Sequence, residues 1–144
     1  MKRYILAAMA AVCINYSHAS DVEGHLGFSF EWGDIPRCTN GNPNTVSNPI
    51  FTFPSIPDNA QWATFKLKDV QVPMYNHGGG RVELEGNTTI DENGNTIIDT
   101  GKFSYKSPCP PSGRHGYRWQ VIFTDTEWSS NWIDQLFSPV IMYP

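Results

Sequence analysis

Two side chains two residues apart, His115 and Tyr117, close the stretch SPCPPSGRHGYRW, residues 107–119. Pro108, Pro110 and Pro111 fix φ and remove backbone donors, while Gly113 and Gly116 permit turns and the close approach of a ligand. A plain surface turn needs one proline and one glycine, so this stiffness points to a loop that must hold its successors in place. His115 and Tyr117 have the same parity and on a strand would project from one face. An imidazole N–H and a phenol O–H on one rigid face suit a phosphate or a carboxylate.

Other chemistries find less in the chain. Asp69, His77 and His115 could form an open two-histidine, one-carboxylate metal site. No closely spaced His-x-His or His-x-x-x-His pair supports it, so no metal ligand or cofactor is assigned. The run YNHGGG, residues 75–80, offers a glycine-rich turn or a backbone nest for an anion. It lacks the Lys-Ser or Lys-Thr and the helix of a nucleotide phosphate loop. There is no G-x-S-x-G elbow, and Ser112 lies in a proline turn. The five tryptophans read mainly as core, with an exposed subset able to stack on sugars or a partner.

The elements that must position these groups read as strands. Gly, Pro, Asn and Thr recur every eight to twelve residues with short β-rich runs between them. HLGFSFEW alternates, placing Leu26, Phe28, Phe30 and Trp32 on one face. PIFTFPSIP is extended by its prolines. ATFKLKDVQVP alternates again, with Phe65, Leu67 and Val70 as core candidates. Asn93-Gly94 predicts a two-residue hairpin turn between flanking strands; Asp91-Glu92-Asn93 has neither the glycine placement nor the distal glutamate of a calcium loop. Tyr117–Asp125 predicts a central strand buried on both faces. In EWSSNWIDQLF, the i, i+4, i+8 spacing of Trp128, Trp132 and Leu136, with Ser129 or Ser130 as cap, predicts a short C-terminal helix ended by Pro139.

The first 19 residues have a basic start (Lys2, Arg3), an apolar stretch too short to span a bilayer, and a Ser-His-Ala ending. That is the layout of a secretory signal peptide cleaved after Ala19, leaving residues 20–144 as a single domain in the periplasm or secreted. Nothing else is apolar enough for an integral membrane segment. The leader takes two of the ten basic residues and no acidic one, so 8 face 14 and the mature net charge is about −6. Such a balance speaks against nucleic-acid binding, where Lys and Arg supply the affinity. Cys38 and Cys109 remain after processing; in an exported chain the pair reads first as a disulfide, the alternative being two buried free thiols.

Ser107–Tyr117 resembles the G-P-x-P-P-x-G-x-H-x-Y signature of the phosphatidylethanolamine-binding (Raf kinase inhibitor-like) proteins, departing only at its first residue. IPRCTNG, residues 35–41, and SNPIFTFPSIPDNAQWATFKLKD, residues 47–69, are similar to upstream segments of that family in the same order. The family's D-x-D-x-P and H-W elements are reduced here to D-V-Q-V-P (Asp69 to Pro73) and H-G-G-G (His77 to Gly80). Gln71 stands for the second acid and Gly78 for the tryptophan, and the family's longer C-terminal region is mostly missing.

The resemblance implies a mostly β fold with a large antiparallel sheet packed on a smaller one. It also implies a pocket lined by Asp69, His77, His115 and Tyr117 with Pro110 and Pro111 as a wall. His115 and Tyr117 would donate to an anion, His77 would donate from the opposite wall, and Asp69 would orient a histidine and favour its protonated form. The implied activity is binding without turnover of a small anionic ligand, a phosphate, phospholipid headgroup or carboxylate, tightening as pH falls. Two other readings stay open: a protein-interaction or inhibitor module with a relic pocket, and a metal-assisted hydrolase.

Overall fold

Residues 27–144 are described by the structure, a computed structural model, and they fold into eleven strands with no helix. These are β1 (Ser29–Glu31), β2 (Thr45–Ser47), β3 (Ile50–Phe53), β4 (Trp62–Asp69), β5 (Gly79–Glu83) and β6 (Thr88–Ile90), then β7 (Thr96–Ile98), β8 (Ser104–Lys106), β9 (His115–Thr124), β10 (Asp134–Phe137) and β11 (Ile141–Tyr143). The expected leader and Leu26 lie outside the described residues.

Every strand pairing is antiparallel, in three sheets. The largest runs β10-β9-β4-β5, with β11 following β10 along the same edge of β9. The second runs β1-β3-β7-β6, and β2 pairs with β8 in a small third ribbon. Alternation explains which faces meet. Ala63, Phe65 and Leu67 of β4 and Trp119, Val121 and Phe123 of β9 are buried on one face, as period-2 patterning requires. They pack against Phe51 and Phe53 of β3, with Phe51 stacked on Phe65 at 4.4 Å and edge-on to Trp119 at 5.2 Å. Aromatic rings thus supply most of the contact between the two larger sheets.

Two buried polar side chains replace backbone pairing where strands change sheet. Asn48 donates to the carbonyls of Pro49 and Asp99 and accepts from the amides of Lys102 and Phe103, filling its hydrogen-bonding capacity with no exposure. Ser138, equally buried, accepts from Trp119 N and donates to Pro139 O between β10 and β11.

Several expectations are corrected. No C-terminal helix forms. Trp128 and Trp132 are 74% and 60% exposed and only Leu136 is buried, while Asp134–Phe137 pairs with Gln120–Phe123 of β9. A helix there would leave that edge of β9 without backbone partners. Ser129 serves a turn, its Oγ accepting from Asn131 N. Val70 is exposed, because it falls on the opposite parity to Phe65 and Leu67; the buried continuation of that face is Asp69. β9 is central but well buried on one face only, with Arg118, Gln120 and Ile122 half-buried on the other. The Asn93-Gly94 turn is a three-residue loop, Gly94 at φ +82 after a bond from Gly94 N to Asp91 O, the type I turn plus glycine bulge that hairpins often use.

Candidate functional site

The core face of the large sheet becomes polar at one end, and the sequence-predicted residues lie there. Tyr117 and Asp69 are directly opposed in the β4–β9 register, immediately beyond the buried pair Leu67 and Trp119. His115 is two residues further along β9, on the parity of Tyr117 and Trp119. The turn after β4 returns as Val72, Tyr75 and His77, and the proline loop contributes Pro110 and Pro111. These residues, with Gly41, Pro43 and Cys109, line one cavity of about 310 Å³. All six residues singled out in the sequence, Asp69, His77, Pro110, Pro111, His115 and Tyr117, are therefore brought together. A larger cavity of about 640 Å³ between β1 and the β2–β3 segment includes Glu31 and Asp34 but no histidine, cysteine or tyrosine.

Cys38 and Cys109 form a buried disulfide. It ties the segment before Gly41 and Pro43 to the proline loop, so both walls of the cavity hang from one covalent link.

Asp69 is spent on architecture. Its Oδ1 accepts from Gln71 N at 2.8 Å and Val72 N at 2.9 Å, and its Oδ2 from His115 Nδ1 at 2.6 Å. Burial alone would push its carboxyl up, but those hydrogen bonds and the attraction of His115 outweigh it and hold the group below its ordinary value. Tyr117 is pushed well above the usual phenol range by burial, then by the charge and acceptor oxygen of Asp69. It stays an O–H at any ordinary pH.

The two histidines are pinned the same way by different groups. Nδ1 of His77 meets Lys106 O at 2.9 Å. A carbonyl only accepts, so Nδ1 carries the proton. The main chains of the two residues also join, Lys106 N donating to His77 O at 2.8 Å. His77 is 3% exposed; burial pushes its imidazole down, only partly offset by Lys106 O and Asp69, so the neutral form is favoured. Nε2 of each histidine has no hydrogen-bond partner among the described residues. Rings of His77 and His115 flank Tyr117 at 5.4 and 6.3 Å between centroids. Tyr75 packs on His77 at 4.6 Å, with Lys106 Nζ 5.8 Å from the Tyr75 ring.

Among the described residues no cluster of three or more His, Cys, Asp or Glu has metal-holding geometry. No described helix is long and apolar enough to cross a membrane.

No family model, curated protein or solved structure matches this chain. What the site can do therefore rests on its own geometry.

That geometry holds groups the sequence reading passed over. Gln71, taken as a lost acid, accepts from Gly116 N through Oε1 at 2.7 Å, fixing the backbone between His115 and Tyr117. An amide oxygen thus keeps the acceptor role of a carboxylate without its charge, and the alternation Asp69-x-Gln71 was the signal for it. Tyr75 and Val72 carried no such signal. Two of the three glycines after His77, Gly79 and Gly80, have a packing reason, while Gly78 sits in open space at φ +79. A Cβ on Gly79, at φ +152, would lie 1.9 Å from Phe65 O, and one on Gly80 would strike the Phe103 ring at 2.4 Å.

Proposed function

We propose that this chain binds, without turnover, a small ligand through its phosphate or carboxylate group in the cavity between His77 and His115. One observation carries the reading: both imidazoles are pinned through Nδ1, which leaves Nε2 unpaired, and both line a 310 Å³ cavity beside a protonated phenol. Preorganised polar groups in a mostly apolar cleft are what small-ligand sites use. With both histidines neutral the cavity offers an anion little charge. With Nδ1 held by Asp69, His115 can donate to an anion only through Nε2 in its doubly protonated form, whose charge Asp69 balances, and this is the basis for expecting tighter binding at lower pH. The charge of Lys106, felt by His77 and lying over Tyr75, favours anion approach.

The relation to phosphatidylethanolamine-binding proteins belongs to the same proposal. It is supported by the Ser107–Tyr117 motif and by a larger antiparallel sheet facing a smaller one. Export to the periplasm or beyond is supported by the leader-like N-terminus and by the disulfide, which persists in oxidising compartments.

Titration calorimetry with phosphate, at two or three pH values, tests the site with wild type and His115→Ala. Binding that strengthens toward lower pH and disappears in the variant supports it; binding unchanged by the substitution refutes it. A second reading, a protein-interaction or inhibitor module, has one observation in its favour. Val70, Val72 and Met74, the last 92% exposed, form an apolar run on the loop that carries His77. Failure of phosphate, methyl phosphate and acetate alike to bind would leave that reading in place.

A further inference from the structure

The hydrogen-bond polarity of the cavity narrows the ligand class, and this narrowing rests on the anion-site reading above. His77 cannot donate into the cavity as a neutral ring, because its single N–H is held by Lys106 O at 2.9 Å. What it presents is the lone pair of Nε2. This corrects the expectation that His77 donates from the wall opposite His115. Asp69 has both oxygens engaged and serves as scaffold rather than as a contact for ligand. The walls thus differ: an acceptor on the His77 side, and on the other side His115, whose Nε2 becomes a donor once its ring is protonated against Asp69.

An anion that only accepts hydrogen bonds would set its lone pairs against that of His77. A carboxylate, a sulfate and a phosphodiester all have this fault. A phosphomonoester does not, because its monoanion keeps one P–O–H beside two acceptor oxygens. We propose that the ligand is a phosphomonoester bound as its singly protonated monoanion, with P–O–H donating to Nε2 of His77 and the charged oxygens accepting from Nε2–H of His115.

The bound state contains one proton on the ester, one extra proton on His115, and neutral His77. The charged side chain bonded to His115 is Asp69 from β4, with Arg114 next to it in the chain and Arg37 near Tyr143 beyond. Tyr117 of β9 and Tyr143 of β11, which faces His115 in register, are phenols raised by burial and stay uncharged. Around His77 stand Tyr75, Tyr117, Asp69 and the distant ammonium of Lys106. Burial opposes a positive ring at His77, so the ester rather than the imidazole keeps the proton they share.

Tetrahedral anions that differ in whether they carry a proton decide it. Methyl phosphate and dimethyl phosphate differ in whether a P–O–H is available, and sulfate gives a tetrahedral anion with no proton near neutrality. Leaving a buried acceptor unpaired predicts dimethyl phosphate and sulfate roughly 5- to 100-fold weaker than methyl phosphate at pH 6. Calorimetry in two buffers of different ionisation enthalpy should show net proton uptake for methyl phosphate. Imidazole 15N shifts should show Nε2 of His77 unprotonated in the free protein, a readout that needs no variant. His77→Leu should bring the three affinities together.

Equal affinities for the three ligands in the wild type, or a His77 protonated at Nε2, overturn this inference and leave an anion site. If none binds, the anion-site reading itself has failed. The monoester could be free or a lipid head. Vesicles with phosphatidic acid that retain the protein where phosphatidylcholine vesicles do not mark the lipid source; methyl phosphate binding without retention marks the free ester.

Discussion

Replacing Asp69 with Asn removes one charge and turns one acceptor oxygen into a donor, at a position 4% exposed. The amide oxygen can keep the bonds from Gln71 N and Val72 N, but as neutral bonds of about half the strength. Bonds to a charged group contribute about 1.5–3 kcal/mol and neutral ones about 0.5–1.5, so each backbone bond loses about 1 kcal/mol. The third contact reverses. The Asn NH₂ would face His115 Nδ1–H, now 2.6 Å from Oδ2, donor against donor. His115 must then move its proton to Nε2 or give up the bond.

The total expected loss is about 2–3 kcal/mol at neutral pH, a fall in Tm of roughly 8–12 °C for a domain of this size. It has a pH window. The native carboxyl is held below its ordinary value of 3.8, so its stabilisation is complete above that value and is lost as pH falls through the lower folded one. The gap between Asp69→Asn and wild type should therefore shrink below about pH 3.8. Circular dichroism melts from pH 7 to 2.5, with 15N shifts reporting the His115 tautomer, measure both effects. A gap as wide at pH 2.5 as at pH 7, or a variant with native stability and Nδ1 still protonated, refutes the reasoning.

Asn48→Ala removes four hydrogen bonds at an unexposed position. The cost should be about 3–5 kcal/mol in urea unfolding, and less than 1 kcal/mol would show that the junction is held otherwise. Gly79→Ala puts a Cβ 1.9 Å from Phe65 O and should pull β5 from β4 at a cost above about 3 kcal/mol. Gly94→Ala, at φ +82 in open space, should cost only about 1–2 kcal/mol; equal losses in the two urea curves would count against the steric argument. Cysteines 71 positions apart close a loop whose release costs about 4 kcal/mol in the chain-entropy model. Cys38→Ala with Cys109→Ala should lose that stability and weaken phosphate binding, since both cavity walls hang from the link; a loss under 1 kcal/mol in denaturant curves, or native phosphate affinity, argues against it.

Local alternation made β4 legible, where Phe65 and Leu67 repeat at period two and share a buried face. β9 was legible as a central strand but not in its faces, because its run looks apolar throughout while Arg118, Gln120 and Ile122 stay half-buried. Where pattern and pairing competed, pairing prevailed: the helical spacing of Trp128, Trp132 and Leu136 yielded to the open backbone edge of β9, which no local window can see. Val70 was misread for a related reason. An apolar residue one step off the parity of Leu67 looked like core, whereas the chain had placed a carboxylate, Asp69, at the in-facing position and fed it three donors from nearby.

Side-chain types at the candidate site were visible in the sequence, but their hydrogen-bond directions were not. His77 looked like a donor because imidazoles are commonly drawn as donors to anions. Its N–H instead goes to a main-chain carbonyl 29 residues away, and every residue type supplies such a carbonyl. Gln71 shows the converse. It looked like the loss of an acid, yet its carbonyl oxygen accepts from Gly116 N as a carboxylate oxygen could. A motif names the groups that converge on a cavity, whereas selectivity belongs to the valences the fold leaves unspent. In this cavity those are the two Nε2 atoms. One nitrogen is confined to accepting while its ring is neutral and the other becomes a donor on protonation, so a ligand that both gives and takes a hydrogen bond meets both.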